Sequence, residues 1–343
     1  MRRLLNTLYI TSEDVYLVLD GENAVVKRKD EEVARFPLHT LESIISFSYM
    51  GASPAFMGVC ADRGIGLSFL TPRGRFLART VGETHGNVLL RRRQYRAADD
   101  EAECVRFASS MLIGKVYNCR RNIERCIRDH GMRVDTERLG SASASLKQSL
   151  FELRNAGSLE TLRGIEGDAA RTYFGVFDEL ILRDKESFRM VSRSKRPPMD
   201  RINALLSFVY MLLASSCAHA LESVGLDSYV GFLHRDRPGR TSLALDLMEE
   251  LRPYLAERFV LTLINNRTID ANSFTIHESG AVSINDAARK SLLSAWQERK
   301  RDEISHPFLG EKLPLGLLPF VQAQLLARCL RGDLDQYPPF LLR

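Results

Sequence analysis

The chain has 343 residues, a length that accommodates two or three domains of ordinary size. Hydrophobic residues make up 45% of it and charged residues 27%, which allows a packed core and excludes wholesale disorder. The formal net charge of +5 is compatible with a nucleic-acid partner but does not require one.

The N-terminus and the cysteines indicate a cellular compartment. Residues 1–5 are followed by Asn6 and soon by Glu13 and Asp14, so the long apolar stretch of a signal peptide is missing. No window approaches 18 uninterrupted apolar residues, so we expect no membrane span. The six cysteines form no C-x-x-C pair, which disfavours a disulfide scaffold or a zinc finger. We therefore expect a reduced, cytoplasmic protein.

The first 85 residues have strand-like patterns and predict a small β-rich domain. Asp20-Gly21-Glu22-Asn23 is a hairpin signal between two apolar runs. Ser53-Pro54 predicts the start of a short helix that ends near Asp62, and Thr71-Pro72-Arg73-Gly74 predicts a turn. The strand-like runs lie at residues 15–19, 24–28, 33–36, 44–49, 66–70 and 75–79.

After residue 85 the pattern changes. Residues 86–100 contain Arg91-Arg92-Arg93, then turn polar, and are interpreted as a linker. From residue 101 apolar side chains recur every three or four positions, as in a helix with one buried stripe. This stripe comprises Val105, Ala108, Leu112, Val116, Cys119, Ile123 and Cys126. Further helices are predicted at 144–155, 158–182, 201–223, 242–263, 285–300 and 317–331.

The predicted fold class is therefore α+β. A small N-terminal β-rich domain (1–85) and a linker (86–100) precede a larger all-α-helical domain (101–343). Gly332 is a plausible stop for the last helix, and Tyr337-Pro338-Pro339-Phe340 is expected to be extended.

A first candidate site residue is Glu166, which lies between Gly164 and Gly167 in a helical pattern. Each glycine costs a helix about 1 kcal/mol relative to alanine. Such glycines are useful where another backbone or a ligand must come close. The alternative is a tight helix–helix contact that leaves Glu166 on a solvated face.

A second candidate is His234, which follows Gly231-Phe232-Leu233 and enters a loop of arginine, proline and glycine. Neutral imidazole is a common ligand of transition metals. The alternative is an isolated surface histidine.

Two further candidates are Asp246 and Glu249. They lie three residues apart in a helix that Thr241 or Ser242 can cap, so both project from one side of it. Paired carboxylates there can hold a divalent cation. They can equally form a solvated acidic turn.

The combination of these residues is more informative than each one alone. Glu166, His234 and Glu249 supply two hard oxygen ligands and one imidazole, which suits Mn²⁺ and can accept Mg²⁺. A metal ion surrounded by arginines is what a phosphodiester substrate requires, because the cations neutralise neighbouring phosphates. The nearby arginines are Arg163, Arg171, Arg235, Arg237, Arg240 and Arg252.

A basic stretch at residues 189–201 carries five basic residues and one acid. The alternative is a solvated loop between helices. If the partner is a nucleic acid, we expect contacts mainly with its backbone, because the basic residues are dispersed rather than set on one recognition helix, and no helix-turn-helix or zinc-finger pattern is present. The DNA-binding candidates are Arg193, Lys195, Arg196, Arg235, Arg240 and Arg252.

Three segments resemble motifs of the CRISPR-associated integrase family Cas1, in the family's order. The strongest is Gly231-Phe232-Leu233-His234 leading into residues 242–253. The others are Gly164-Ile165-Glu166-Gly167, with Ala170 and Tyr173-Phe174 after it, and residues 196–207. The resemblance covers nearly the whole chain, and the C-terminal Tyr337-Pro338-Pro339-Phe340 is similar to the type I-C subgroup.

The resemblance implies that Glu166, His234 and Glu249 are catalytic and bind Mn²⁺ or Mg²⁺. Asp246 competes for the third position; we prefer Glu249, with Asp246 as a nearby supporting carboxylate. Because only neutral imidazole binds a metal, activity is expected to fall at acid pH. Residues 101–343 are then the metal-binding catalytic domain, and residues 1–85 the dimerisation domain.

The resemblance further implies a metal-dependent DNA endonuclease and integrase of prokaryotic antiviral immunity. Such an enzyme inserts new spacer DNA into a CRISPR array by attack of a 3′-hydroxyl on a phosphodiester. The implied partners are double-stranded DNA, as incoming fragment and as CRISPR repeat, a second copy of the chain in a homodimer, and Cas2. The need for an accessory CRISPR nuclease stays open, as does whether Pro338-Pro339 docks a partner or lies in a disordered tail.

Two alternatives belong to other classes of function. One is a non-catalytic DNA-binding scaffold of a nucleoprotein complex. The other is a general metal-dependent DNA repair nuclease.

Overall fold

A computed structural model describes residues 5–72, 74–83, 88–190, 192–194 and 197–342. The chain divides into two compact units. The first comprises Met1–Gly86 and Leu293–Arg301, and the second comprises Asn87–Leu292 and Asp302–Arg343. Of the residues, 54% lie in helices and 15% in strands. This confirms a mixed α+β protein with a β-rich N-terminal region.

The N-terminal part of the first unit contains two sheets and one short helix. A four-stranded sheet has the order β1-β5-β6-β7, in which only β7 is antiparallel to its neighbour. β2, β3 and β4 form an antiparallel three-stranded sheet. In chain order the elements are β1 (Asn6–Ile10), β2 (Tyr16–Asp20), β3 (Asn23–Arg28), β4 (Glu31–Pro37), β5 (Leu41–Ser46), α1 (Pro54–Asp62), β6 (Gly66–Leu70) and β7 (Phe76–Arg79).

Local turn and cap chemistry explains this arrangement, and the corresponding predictions are confirmed. β2 and β3 pair around a turn in which Gly21 adopts a left-handed φ of +55°. The Ser53 hydroxyl accepts a hydrogen bond from the Phe56 N–H at 3.2 Å, directly before Pro54 begins α1. The strands and α1 bury one apolar cluster that includes Leu17, Ile44, Phe56 and Leu67.

The predicted linker over residues 86–100 is wrong for most of its length, because Val88–Ala98 form a helix, α2. Leu90, Gln94 and Ala97 are buried on one side of α2. The Gln94 amide donates to the carbonyls of Asp227 and Val230, both at 2.8 Å. The buried residues of α2 recur at helical spacing, but this pattern is hard to recognise in the sequence because most of the segment is polar and rich in arginine.

The second unit is mainly helical, and each helix predicted from periodicity is present. The helix predicted over 158–182 ends at Gly175, and a 3₁₀ turn follows at Phe177–Leu180. The helices are α3 (Glu101–His130), α4 (Thr136–Asn155), α5 (Leu159–Gly175), α6 (Arg201–Ser223), α7 (Ser242–Arg252), α8 (Arg258–Asn265), α9 (Asp286–Arg299) and α10 (Leu318–Arg331). The C-terminal half of α9 belongs to the first unit.

The helix predicted over 242–263 is interrupted. α7 ends at Arg252, and Pro253–Glu257 form a π-helical turn before α8. Proline lacks an N–H, so Pro253 loosens the ladder of backbone hydrogen bonds at this point. The Asn122 amide of α3 donates to the Pro253 carbonyl at 2.8 Å, which satisfies a backbone group in this turn.

The expectation of an all-α second domain is also wrong, because this unit contains two short antiparallel hairpins. One pairs β8 (Phe274–Ile276) with β9 (Val282–Ile284), and the other pairs β10 (Glu303–Ser305) with β11 (Lys312–Pro314). Gly280 and Gly310 adopt left-handed φ values of +79° and +72° in the connecting segments. Strands of three residues are too short to show an alternating pattern in the sequence.

α6 is long and apolar enough to cross a membrane by length and composition, with a mean hydropathy of 1.7 over its most apolar stretch. However, 61% of that stretch is buried inside the protein. This is the pattern of a core helix, so α6 is weak support for a membrane span.

The C-terminal segment lies against its own chain. Gly332 ends α10 with a φ of +86°, and residues 337–340 are non-helical, as predicted. Phe340 is fully buried; its N–H donates to Glu250 Oε2 at 2.8 Å, and its carbonyl accepts from Asn118 Nδ2 at 2.9 Å. The alternative of a disordered tail is therefore wrong for residues 337–342.

Candidate active site

A cleft of about 820 Å³ opens in the second unit between α5, the loop before α7, and α7 itself. Glu166 from α5, His234 from the loop and Glu249 from α7 all line it. The structure thus places the three side chains proposed as metal ligands along one cleft. The cleft is strongly basic, and the arginines that line it are Arg163, Arg171, Arg193, Arg235, Arg237, Arg240 and Arg252.

Lys115 of α3 joins the two glutamates. Its Nζ donates to Glu166 Oε1 and lies 2.7 Å from Glu249 Oε2. The Lys115 side chain is only 4% exposed, and that of Glu249 only 6%. Two carboxylates from different helices therefore converge on a single buried ammonium group.

Arg252 pairs with Glu249 from the other side. Its Nη1 donates to both oxygens of Glu249, at 2.9 and 3.1 Å, and its Nε donates to Glu257 at 3.3 Å. The guanidinium group also stacks on the Tyr210 ring, 4.7 Å from its centroid. Arg252, one of the DNA-binding candidates, is therefore buried among carboxylates and an aromatic ring, and its role as a DNA contact stays a prediction.

These cations determine the charge of the site. Burial disfavours the charged form of Glu249, but Arg252 and Lys115 outweigh burial and hold the pKa of this carboxyl below its usual range. Burial and the nearby Arg252 disfavour the charged form of Lys115, but the two glutamates outweigh both and raise its pKa. The cluster is consequently ionic at neutral pH.

Asp246 lies beneath His234 and orients it. The fully buried carboxylate accepts backbone hydrogen bonds from Phe232 at 2.6 Å, Leu233 at 2.9 Å and His234 at 3.0 Å. It also lies 2.5 Å from the Nδ1 atom of the His234 ring. Because a carboxylate accepts hydrogen bonds, Nδ1 carries the hydrogen, and Nε2 is the nitrogen left for a ligand.

The segment before His234 approaches α7 so closely that it requires a glycine. A Cβ atom at Gly231 would lie 2.7 Å from Asp246 Oδ2 and 2.9 Å from Ser242 Cβ. Of the two predicted caps, Thr241 or Ser242, Thr241 occupies the N-cap position, but its side chain makes no capping hydrogen bond. Instead the Ser228 carbonyl accepts from the N–H groups of Leu243 and Ala244, at 3.1 and 3.3 Å.

Arg163 connects α5 to the same loop. Its Nη2 and Nε donate to the Leu233 carbonyl at 2.6 and 3.1 Å. On the other side of the loop, the Phe232 ring stacks on Phe107 of α3 at 4.6 Å. Together these contacts fix the position of His234 relative to Glu166.

The glycines beside Glu166 face open space. A Cβ atom at Gly164 or at Gly167 would meet no atom within 4 Å. The alternative of a tight helix–helix contact at these glycines is therefore wrong. Neither glycine lines the cleft, so the close approach of another backbone that these glycines also predicted is not found among the described residues.

The other basic candidates divide into two groups. Arg235 and Arg237 are exposed at the mouth of the cleft, and Arg240 is half-buried. Arg193 is half-buried, donates to Asn203 Oδ1 at 2.5 Å and lies over the Tyr210 ring. Lys195 and Arg196 lie outside the described residues.

The donor groups fit a divalent cation in their chemistry. Two carboxylates already converge on one cationic atom, and the His234 ring has Nε2 left for a ligand. In the part of the chain that the structure describes, no three His, Cys, Asp or Glu side chains stand close enough to hold a metal ion as placed. Here the Lys115 ammonium lies between the two glutamates.

Sequence reasoning missed Lys115, although the sequence contains a signal for it. Lys115, Asn118 and Asn122 recur at helical spacing in an otherwise apolar region of α3, and all three are buried. Asn118 and Asn122 donate to the carbonyls of Glu250 and Pro253, both at 2.8 Å. Polar residues in a buried helical stripe indicate a satisfied polar network, because burying unpaired polar groups is costly.

Comparison with known proteins gives the family. The model of the family described as CRISPR associated protein Cas1 matches residues 8–298. The chain belongs to the Cas1 family. It is 49% identical over 343 residues to the CRISPR-associated endonuclease Cas1 1 of Chlorobaculum tepidum, and the match covers 100% of both chains. It is 50% identical over 344 residues to the CRISPR-associated endonuclease Cas1 2 of Rhodospirillum rubrum, covering 99% of each.

Solved structures show the same Cas1-like fold at low sequence identity. A casposase bound to an integration product matches with a TM-score of 0.83 and 20% identity, covering 99% of this chain and 95% of that one. A chain of a Cas6-RT-Cas1–Cas2 complex matches with a TM-score of 0.82 and 22% identity, covering 99% of this chain and 36% of that one. The Cas1 fold assignment thus agrees with the family assignment.

Proposed function

We propose that this protein is a metal-dependent DNA endonuclease and integrase that inserts spacer DNA into a CRISPR array. The observation that carries the proposal is the arginine-lined cleft that contains Glu166, His234 and Glu249. The names of its Cas1 relatives support endonuclease activity. The casposase of the same fold, bound to an integration product, supports strand joining.

Glu166, Glu249 and Nε2 of His234 would hold a Mn²⁺ or Mg²⁺ ion. When bound, the ion polarises a phosphoryl oxygen and stabilises the charge that develops on it. Asp246 keeps the imidazole in the tautomer that leaves Nε2 unprotonated. Arg252 holds the Glu249 carboxylate in place through two hydrogen bonds.

Arginines on both sides of the cleft bind the DNA backbone. Arg171 on α5 and Arg235 and Arg237 on the loop are exposed and lie along this cleft. Their guanidinium groups can neutralise phosphates on either side of the reacting phosphodiester. We expect DNA affinity to fall steeply as salt concentration rises, because binding to phosphates releases counterions.

The nucleophile we propose is the 3′-hydroxyl of an incoming fragment, which attacks a phosphodiester at a repeat boundary. The oxygen–phosphorus bond to the repeat strand breaks as the new one forms, and the released strand keeps a 3′-hydroxyl. Water in place of the fragment gives hydrolysis, which accounts for nuclease activity at the same site.

The remaining assignments are part of the same proposal. Cas2 is proposed as a partner, because the Cas6-RT-Cas1–Cas2 complex contains a chain of the same fold. We further propose a homodimer formed through residues 1–85, the type I-C subgroup, and a cytoplasmic location. The location is supported by six cysteines that are all buried and unpaired.

The test combines purified protein, Cas2, a supercoiled plasmid that carries a repeat, and double-stranded fragments with 3′-hydroxyl ends. With Mn²⁺ or Mg²⁺ the wild type is expected to join fragments to the plasmid. His234→Ala and Glu166→Ala are expected to abolish joining, and Glu166→Ala is expected to retain much of the DNA affinity. Fragments that end in a 3′-deoxy sugar should not be joined.

Glu160→Ala is the matched control, because Glu160 is an exposed acid on α5 that does not line the cleft. It should retain joining. Full joining by His234→Ala would contradict the proposal, and DNA binding by the wild type without any joining would favour a scaffold. Cleavage that requires neither Cas2 nor a repeat would favour the repair nuclease.

A further inference from the structure

Lys115 occupies the point at which the two glutamates of the cleft meet. Glu166 comes from α5 and Glu249 from α7. Each pairs with the Nζ atom of Lys115. Two like charges this close repel, so this cation stabilises their approach.

The ammonium group and a divalent cation would compete for the same two carboxylates. Glu166 Oε1 and Glu249 Oε2 are the atoms that Lys115 contacts. A buried ion pair is stable only while each charge retains a partner, because an uncompensated buried charge is strongly destabilising. Lysine has a flexible stem and a compact charged group, so it can leave such a position more readily than an arginine fork.

We propose that Lys115 is a positioning residue that holds Glu166 and Glu249 together in the metal-free protein and competes with the divalent cation for them. This inference rests on the proposed metal-dependent function. It has a direct consequence for binding. Only those molecules in which Lys115 has left the glutamates can bind the metal ion. The apparent affinity for the ion is therefore the intrinsic affinity multiplied by the fraction of such molecules.

The experiment measures Mn²⁺ binding to the full chain by titration calorimetry, and thermal melting with and without Mn²⁺. Lys115→Met is expected to bind Mn²⁺ at least about tenfold more tightly than the wild type. A tenfold difference corresponds to Lys115 having left the glutamates in about a tenth of the wild-type molecules. Without metal it should melt at a lower temperature, and Mn²⁺ should raise its melting temperature by more than it raises that of the wild type. Lys115→Arg keeps the charge, and because an arginine leaves such a position less readily than a lysine, it should bind Mn²⁺ no more tightly than the wild type.

Two controls separate this inference from the proposed function. Lys185→Met removes a lysine whose 3.0 Å ion pair with Glu179 lies outside the cleft, and it should leave Mn²⁺ affinity unchanged. Glu249→Gln removes a ligand and should weaken Mn²⁺ binding. If Lys115→Met binds Mn²⁺ as the wild type does, or more weakly, competition by Lys115 is refuted while metal binding stands. If neither protein binds Mn²⁺, the proposed function fails as well.

A measurement on the wild type decides the matter if Lys115→Met does not fold. Lysine acetylation is followed by mass spectrometry with and without Mn²⁺. Displacement by the ion should increase the acetylation of Lys115, which is almost fully buried in the metal-free protein. Unchanged acetylation in the presence of saturating Mn²⁺ would overturn the inference.

Discussion

Replacing Asp246 with asparagine is the sharpest test of the proposed geometry. The Asp246 carboxylate accepts three backbone hydrogen bonds and lies 2.5 Å from His234 Nδ1. Asparagine has one acceptor oxygen, and its amide nitrogen donates. In Asp246→Asn at most two of the four contacts can therefore persist, and the new NH₂ group faces N–H groups.

The expected cost follows from those contacts. A hydrogen bond to a charged group contributes about 1.5–3 kcal/mol, so losing two lowers the free energy of unfolding by about 3–6 kcal/mol. The asparagine amide would also favour the other tautomer of His234, in which Nε2 carries the hydrogen. Losing this orienting contact is expected to weaken Mn²⁺ binding about 10–100-fold.

Three measurements check this reasoning: chemical denaturation, Mn²⁺ titration, and ¹⁵N NMR of the labelled histidine ring. Asp168→Asn is the control, because the same change at an exposed position on α5 removes only a surface ion pair with Arg171. Wild-type metal affinity and an unchanged His234 tautomer in Asp246→Asn would refute the orienting role. A complete loss of binding with an unchanged tautomer would instead make Asp246 a direct ligand.

Three further predictions concern stability and are measured by denaturation. Gly231→Ala places a Cβ 2.7 Å from Asp246 Oδ2 and should lower the free energy of unfolding by about 1–3 kcal/mol. Gly164 faces open space, so Gly164→Ala should raise the free energy of unfolding by about 0.5–1 kcal/mol. Equal effects of the two substitutions would refute the packing argument. Burial raises the pKa of Glu250 from 4.5 to about 7, so the folded protein binds a proton that the unfolded chain releases. The difference in unfolding free energy between the wild type and Glu250→Gln should therefore fall by about 3 kcal/mol as pH rises from 4.5 to 7. A difference that does not change with pH would disprove the assignment. Deleting residues 337–343 removes two buried aromatic rings and should cost at least about 3 kcal/mol; an unchanged unfolding midpoint would contradict the docked tail.

Local chemistry explains which parts of the fold were predictable. Asp20-Gly21-Glu22-Asn23 and Ser53-Pro54 each determine a turn or cap within a few residues, and both predictions are confirmed. The period of α3 was equally visible, because its apolar stripe extends over many turns. By contrast, α2 was predicted as a linker. Its buried Gln94 looks like a surface residue in the sequence, because the backbone carbonyls that accept its hydrogen bonds are distant along the chain.

The candidate site was only partly predictable for a similar reason. Residue types and motif resemblance selected Glu166, His234 and Glu249, and the structure brings them to one cleft, while their roles as ligands stay a prediction. Sequence alone could not show that Asp246 faces the His234 ring or that Lys115 lies between the glutamates. Those relations depend on how α3, α5 and α7 pack, and no local pattern encodes that.

The division of the chain has a consequence for inheritance. The β-rich unit takes its last nine residues, Leu293–Arg301, from far downstream. Within it the Lys300 ammonium, itself buried, donates to Thr7 Oγ1 at 2.8 Å. A recombination event that exchanged only the first 86 codons between two lineages would separate these partners. The two gene segments that encode this unit are therefore expected to change together. We do not expect the first segment to be transferred alone between genomes.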